Sequence, residues 1–443
     1  MKLRSLILLM CSVPPSVAAE TLTLVDAYQS ALQNGSIFSA AQSEKMAAIE
    51  DLPQARSALR PNLSIISNYA LEDYERDYTT LEKPITSSSL HLRLKQPLYD
   101  RPAWYRVARA EDKIKVDVLR LEEKRQQIAY DVSEAYLGEI LKKEAFYLAK
   151  AERESYLKQW ERVNNSVQLG LASRVDLLES KARLDTADAQ VLKSENEWRE
   201  AKRKLHKIIG GERGLQAGVD SQQLPTEADA LLQLKELEFK LDDVSYWVDA
   251  SSENIQRRMA VLGVQLMKSD RNIAIAGRYP TLTFSADLEN SRHDDPTVLE
   301  GSRSKVGFEL IIPLLDGGRT TSSIRKAEAR TTQAEEELRD SIETTELNVR
   351  TVLDLLRNDR ANIDAMALSV ESAAALLQAV EESHKVGLKD LGSVLDAKAG
   401  LYATKRRMAE AVYTAILHRL QLNQAVGHLS ERELKVIDRW LVN

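Results

Sequence analysis

Apolar residues recur along much of the chain at the spacing of helices that pack against other helices. One run steps by four and three residues without a slip, through Leu338, Ile342, Thr345, Val349, Val352, Leu356, Asp359, Ile363, Met366, Val370, Ala373, Leu377 and Val380. A repeat of this kind predicts a coiled-coil helix. No proline occurs in residues 103–224 or after Pro313, so the pattern allows unusually long helices.

A second pattern, with a period of two residues, predicts four β-strands: near 62–74 and 88–96, and within TLTFSADLE (281–289) and VGFEL (306–310). Alternation usually indicates a sheet with one wet face. Here the polar face is heavily charged and aromatic residues stand near the strand ends, namely Tyr69, Tyr74, Tyr99, Trp104 and Tyr279. These facts favour an apolar face towards lipid, formed by Leu90, Leu92, Leu94, Leu282, Phe284, Val306, Phe308 and Leu310.

The chain also repeats itself. QLGLASRVDLLESKARL at 168–184 aligns with KVGLKDLGSVLDAKAGL at 385–401, with six of 17 positions identical at an offset of 217 residues. The strand-to-helix junctions Pro97 and Asp100 pair with Pro313 and Asp316 at an offset of 216. Landmarks in one order at near-constant spacing predict a duplicated unit of helix, strand, strand, long helix, glycine turn and helix.

The duplication divides the chain. We expect a signal peptide at 1–19, a first repeat at 20–209, a connecting segment at 210–251, a second repeat at 252–427 and a C-terminal tail at 428–443. In the first repeat, helices are predicted at 22–59, 103–166 and 173–209, with a turn at Gly170.

The first 19 residues are typical of an export signal: a basic start with Lys2 and Arg4, an apolar stretch and a small-residue cleavage site at 17–19. Cys11, the single cysteine, lies in this segment. A lipoprotein would need Cys11 acylated, but Met10 is too bulky for that pattern. After residue 19, no run of about 18 apolar residues predicts a transmembrane helix.

Composition excludes several functions. The net charge is −6 and no basic excess indicates a nucleic acid partner. The six histidines are isolated, and no hydrolase, metalloprotease or P-loop pattern occurs, so neither an enzyme nor a cofactor is expected.

Four strands cannot close a membrane barrel, and open edges are not tolerated in lipid. The chain must therefore oligomerise, and a trimer would supply twelve strands.

The PLYD and PLLDGG junctions, together with the LGL and VGL turns followed by DLLES and VLDA, resemble the TolC family across residues 20–430. These proteins are exit ducts in the outer membrane of Gram-negative bacteria. The resemblance implies a mainly α fold with a small β part: long antiparallel coiled-coil helices and four membrane strands per chain in a homotrimeric α/β barrel. It also implies a tunnel in the periplasm that meets a periplasmic adaptor and an inner-membrane transporter, either ABC-type or proton-driven.

The resemblance assigns candidate roles near the turns. Gly170, Leu171, Gly387 and Leu388 would form the tip that docks the adaptor, although glycine is also what a tight helical turn requires. The matching periplasmic gate and constriction positions are Asp176, His384, Lys389, Ser393 and Asp396. Relatives often carry a second acid where Ser393 stands, so the cation preference of this chain is open. The alternative for these charged residues is solvated helix surface.

Two functions remain open from the sequence. The first is a passive trimeric channel for type I protein secretion or small-molecule efflux. The second is a soluble periplasmic coiled-coil adaptor, which should lack paired lipid-type strands and the duplicated junctions. For the channel, overall resemblance gives a mild preference for a polypeptide cargo.

Overall fold

The chain forms long helices and a four-stranded antiparallel sheet. The computed structural model describes residues 22–72, 75–76, 79–80, 85–211, 243–293 and 301–442. The first half contains α1 (Leu24–Asn34), α2 (Ser36–Ile49), α3 (Asp51–Ser57), β1 (Asn62–Glu72), β2 (Glu75–Arg76), β3 (Thr79–Thr80), β4 (Ile85–Asp100), α4 (Arg101–Gln168) and α5 (Arg174–Ile208). The second half contains α6 (Val244–Ala250), a 3-10 turn (Ser251–Glu253), α7 (Ile255–Ala276), β5 (Thr281–His293), β6 (Gly301–Ile311), α8 (Arg319–Lys385), α9 (Leu391–Ala425) and α10 (Glu431–Val442).

The order of elements supports the duplication. In each half, two longer strands are followed by a very long helix and a shorter one: α4 and α5 have 68 and 35 residues, and α8 and α9 have 67 and 35. The compact units nevertheless cut across the repeats. Described residues within 1–39, 125–247 and 349–443 form a helical unit, and those within 40–124 and 248–348 form a sheet unit. Each repeat therefore contributes to both units.

Several predicted boundaries need correction. The single helix expected over 22–59 is three helices, because the chain is extended at Gly35 and turns again at Glu50. The strand expected at 88–96 runs from 85 to 100, and β1, expected near 62–74, is described over Asn62–Glu72. The signal segment 1–19, Tyr74 and most of the connecting segment 210–251 lie outside the described residues. The predicted tail contains α10, whose Leu434 and Ile437 are buried.

The coiled-coil seam predicted along α8 is confirmed. All thirteen of its positions are buried or half-buried within the single chain, and Val349 is fully buried. The same helix contains an 18-residue window of mean hydropathy 1.4, apolar and long enough by composition to cross a membrane. The sequence expectation concerned an unbroken run of about 18 apolar residues, which the chain does not contain after residue 19; this window meets the criterion by its mean hydropathy instead.

Candidate functional site

The turn between α4 and α5 is built on a left-handed glycine. Gly170 has φ of 72°, a conformation that costs glycine little. The Leu171 N–H donates to the Ser166 carbonyl at 2.8 Å, and the Gly170 N–H donates to the Val167 carbonyl at 3.0 Å. This pair of bonds is a Schellman motif, which satisfies the last carbonyls of α4 and reverses the chain within a few residues.

The turn between α8 and α9 repeats that geometry. Gly387 has φ of 78°, the Leu388 N–H donates to the Ser383 carbonyl at 2.9 Å, and the Gly387 N–H donates to the His384 carbonyl at 3.0 Å. The His384 ring Nδ1 lies 2.9 Å from the Lys389 carbonyl oxygen. His384 therefore belongs to the turn itself and fixes the backbone that carries Lys389.

Both turns expose large apolar side chains. Their relative exposures range from 61% to 78%, for Leu169, Leu171, Val175, Leu178, Val386 and Leu388. Isolated exposed leucines are common, but a cluster at two equivalent turns is typical of an interaction surface. The predicted docking residues Leu171 and Leu388 are the most exposed members of this cluster.

The helices after the two turns begin with the same pair of residue types in opposite order. Ser173 caps α5 by accepting from the Asp176 N–H at 3.1 Å, and the Asp176 carboxylate accepts from the Ser173 N–H at 3.0 Å. In α9 the cap is Asp390, whose carboxylate accepts from the Ser393 N–H at 3.1 Å and from the Ser393 hydroxyl. The Ser393 hydroxyl bond holds the pKa of Asp390 below its ordinary value. Ser393 and Asp176 therefore take part in capping the helices to which they belong.

Asp176 and Lys389, two of the predicted gate residues, are not joined to each other within one chain. Among the described residues, neither Asp176 nor Lys389 makes an ion pair, and Lys389 is exposed. Asp396 does make one: its Oδ1 accepts from Nη2 of Arg183 on α5. Sequence reasoning missed Arg183, Ser173 and Asp390. The capping residues could have been found from the Ser-x-x-Asp and Asp-x-x-Ser spacing, but Arg183 carries no such signal.

Apolar packing lies beneath this surface. Buried side chains from α4, α5 and α9 form one cluster, made of Tyr156, Val163, Leu184, Ala187, Leu391 and Leu395. The Tyr156 hydroxyl donates to the Leu395 carbonyl at 3.4 Å, and burial raises the pKa of the Tyr156 phenol to about 12. This cluster ties the two helical hairpins of a single chain together near their turns.

In the sheet unit, the strand order is β1-β4-β5-β6, all antiparallel. Directly paired residues share a face: Leu92 pairs with Leu288, and Phe284 pairs with Phe308 with ring centroids 5.4 Å apart. Of the eight predicted lipid-facing residues, Leu90, Leu92, Val306, Phe308 and Leu310 are exposed, and Leu94, Leu282 and Phe284 are half-buried.

The opposite face is charged and concave. It encloses a groove of about 520 Å³ lined by His91, Arg93, Lys95, Pro97, Thr283, Ser285, Asp287, Glu289, Arg303, Lys305 and Glu309. Across the strands, Arg93 Nε donates to Asp287 at 2.6 Å, and the His91 ring lies 3.4 Å from the same carboxylate. The concave face of the sheet is therefore polar, and the opposite face is apolar.

The two strand-to-helix junctions differ in detail. Pro97 does not end β4; a register shift follows it, and the strand continues to Asp100, which caps α4 by accepting from the Ala103 N–H at 2.9 Å. By contrast, β6 ends at Ile311, before Pro313. Asp316 lies three residues before α8 and caps it by accepting from the Thr320 N–H at 2.9 Å. The described residues contain no cluster of side chains placed to hold a metal ion.

Comparison with known proteins gives the same picture. A sequence profile described as outer membrane efflux protein matches residues 27–211 and 248–428. The chain is 27% identical to the proteases secretion protein PrtF of Dickeya chrysanthemi, over 96% of this chain and 92% of PrtF. It is 25% identical to the outer membrane protein TolC of Vibrio cholerae, over 94% and 93% of the two chains. The outer membrane protein VceC of Vibrio cholerae has the same fold, with a TM-score of 0.74, 18% identity and coverage of 91% and 96%.

An exposed apolar sheet face, a charged inner face and paired helical hairpins define the subunit of an outer-membrane channel. The chain belongs to the outer membrane efflux protein family. It is a passive exit duct of the outer membrane, for efflux or type I secretion, and not an enzyme. The alternative of a soluble periplasmic adaptor is wrong, because the family match includes both strand pairs and both hairpins.

Proposed function

We propose that three copies of this chain close their four-stranded sheets into one twelve-stranded barrel in the outer membrane. The observation that carries the proposal is the sheet itself: its apolar face is exposed, and its outer strands β1 and β6 have a free edge in the chain as described. Lipid tolerates an apolar face but not unpaired backbone groups, so β1 of one copy must pair with β6 of the next. The signal segment 1–19 would direct export.

Disulfide cross-linking tests this closure, because the mature chain starting near Glu20 contains no cysteine. Cysteines at Ser67 in β1 and at Ser302 or Ser304 in β6, which all lie on the apolar face of the sheet, should form bonds between neighbouring copies. Denaturing gels should then show a ladder that ends at the trimer. The control places cysteines at Ser89 and Ser291, which pair within one chain, and should give only monomer. A ladder ending at the dimer, or no interchain product at any position, would contradict the barrel.

The exposed turns are proposed to dock a periplasmic adaptor. Leu171 and Leu388 offer apolar contacts at two equivalent turns, which suits a partner that presents repeated apolar side chains of its own. The adaptor in turn would connect the duct to an inner-membrane transporter, either ABC-type or proton-driven, that supplies the energy.

The turns are also proposed to contain the gate, formed by Asp176, His384, Lys389, Ser393 and Asp396. What supports this is that Lys389 is exposed, has no ion pair among the described residues, and sits on backbone that His384 braces. Lys389 of one chain is thus available to an acid of the neighbouring chain. With threefold symmetry, one such bond occurs three times around the axis.

For the cargo, we favour a polypeptide secreted by a type I system. The support is the likeness to proteins named for protease secretion, with 27% identity over 95–96% of this chain. The cation efflux protein CusC of Escherichia coli matches less, with 20% identity over 67% of this chain. Deletion of the gene in its host should remove one or more proteins from the culture medium. Increased drug sensitivity with an unchanged set of secreted proteins would contradict this choice.

A further inference from the structure

One ion pair near the turns joins the two helical hairpins of the same chain. Arg183 on α5 donates through Nη2 to Oδ1 of Asp396 on α9, although the residues are 213 positions apart in sequence. Their side chains are 38% and 68% exposed. The hydrogen bond of such an exposed pair contributes little to stability. The proximity of its two charges is the more important property.

Helix packing keeps those charges together. One turn before the pair, Glu179 on α5 faces Gly392 on α9, and a Cβ added to Gly392 would lie 2.9 Å from Glu179 Oε1. The missing side chain therefore leaves room for the Glu179 carboxylate against α9. Below it, Leu184 and Leu395 are buried in the shared apolar cluster. The Arg183 guanidinium, in hydrogen-bond contact with Asp396, lies well within a Debye length, about 8–10 Å, of the carboxylate.

Neighbouring charges already have partners. Lys181 pairs with Asp185 at 2.7 Å, and Lys398 pairs with Glu381 at 3.3 Å. Arg183 makes no other ion pair among the described residues, so its charge is available to balance Asp396. The buried neighbours of Asp396, including Leu395, place the exposed carboxylate on the opposite side of α9 from the apolar cluster.

We propose that Arg183 determines the ion preference of the constriction by neutralising Asp396. This rests on the proposed trimer, in which three Asp396 carboxylates would form a ring around the axis. A bare ring of carboxylates attracts cations and favours their passage. With three Arg183 guanidinium groups held beside it, the ring carries no net charge, and the duct lacks the cation preference that Asp396 alone would give.

Single-channel recording in planar bilayers tests the proposal, with the full-length mature protein and a potassium chloride gradient. Arg183→Gln should shift the reversal potential towards that of potassium. It should also lower the concentration of La³⁺ needed for half block by about tenfold, because the uncovered carboxylates concentrate cations. Arg183→Lys should behave as wild type. Adding Asp396→Asn to Arg183→Gln should return both measurements to wild-type values.

Trimer content and thermal stability of each variant identify any folding defect before recording. A reversal potential and La³⁺ block that stay at wild-type values in Arg183→Gln would overturn the proposal. So would a change in conductance alone, since that would assign Arg183 to helix packing only. If the wild-type protein itself forms no channels, the proposed function fails, and this inference with it.

Discussion

The sheet unit exposes apolar side chains and gathers charged ones on its concave face. The helical unit does the reverse: it buries apolar side chains and exposes charged ones. In the sheet, Phe308 is 70% exposed, while Asp287 and Arg93 face each other across the concave side. In the helical unit, Leu353 and Leu395 are fully buried and the charged side chains form ion pairs at the surface. Hydrophobic burial acts in both, but the surroundings that receive the apolar face differ: other helices in one case and, in the proposed barrel, lipid in the other.

This difference shows what a single chain leaves incomplete. The apolar cluster of the helical unit is formed within one chain, so its helices can pack without a partner. The apolar face of the sheet has no protein cover among the described residues; in the proposed barrel it meets lipid, and the sheet edges meet neighbouring copies. Substitutions should accordingly affect assembly when they fall in the sheet and stability when they fall in the helices.

The largest effect is expected from a charge on the apolar face of the sheet. Phe308→Arg should impair insertion, because an arginine near the bilayer midplane costs about 2–4 kcal/mol per site and the trimer contains three. The measurement is the fraction of protein recovered as trimer in the outer membrane. Glu309→Leu, one residue away on the concave face, is the matched control and should still assemble. Equal loss from both variants would show that the two faces do not differ as described.

A comparable effect, on stability rather than on assembly, is expected in the helical unit. Leu395→Ala removes a fully buried side chain from the cluster below the turns, and such changes cost about 2–5 kcal/mol. Leu388→Ala, at a turn where the side chain is 78% exposed, should leave stability unchanged and weaken only adaptor binding. Denaturant unfolding and adaptor pull-down measure the two effects. Similar destabilisation by both would mean that the turn is packed within the chain.

The sequence predicts the fold well because periodicity reports directly on burial. The spacing of α8 was enough to identify all thirteen seam positions, and the two-residue alternation identified the strand faces. The predicted ends of the strands were less accurate where the surrounding sheet overrode a local rule, such as proline ending a strand. Pro97 is accommodated by a register shift, so β4 continues four residues past the predicted end.

The site was only partly predictable, for a different reason. Gly170 and Gly387 could be identified because a left-handed turn requires glycine. The pairing of Arg183 with Asp396 could not, because it depends on how two hairpins from different repeats pack together. No periodicity within one helix encodes a contact across 213 residues.

The capping residues give a pH-dependent way to distinguish the two turns. The Ser393 hydroxyl bond lowers the pKa of Asp390 in the folded chain below its ordinary value of 3.8. The contribution of the Asp390 carboxylate to the stability of α9 is therefore complete above pH 3.8 and is lost as the pH falls through the lowered pKa. In α5 the atom that accepts from the helix N–H is the Ser173 hydroxyl, which does not titrate. Hydrogen exchange at residues 391–394 should rise more in acid than at 174–177.

Asp390→Asn supplies the control for this comparison. Asparagine caps helices about as well as aspartate but does not titrate in acid. In the Asp390→Asn variant, residues 391–394 should therefore lose their extra acid sensitivity. Persistence of the difference between the two turns in this variant would assign it to some other group.

The smallest effect concerns the proposed gate residues, which would bond to residues of neighbouring copies. Replacing both Asp176 and Lys389 with alanine should raise single-channel conductance and sensitise cells to large antibiotics. An exposed pair contributes about 0–1 kcal/mol, but three copies act together, and a few kcal/mol can bias a two-state gate.

Because Asp176 also belongs to the capping box of α5, Ser173→Ala is the necessary control. It weakens the cap by about 0.5–2 kcal/mol but leaves the charge of Asp176 in place. Raised conductance in the double alanine variant and not in Ser173→Ala would place the effect in a bond between chains. Equal conductance in both variants would mean that the cap alone holds the turn, and that the charges of Asp176 and Lys389 are solvated surface.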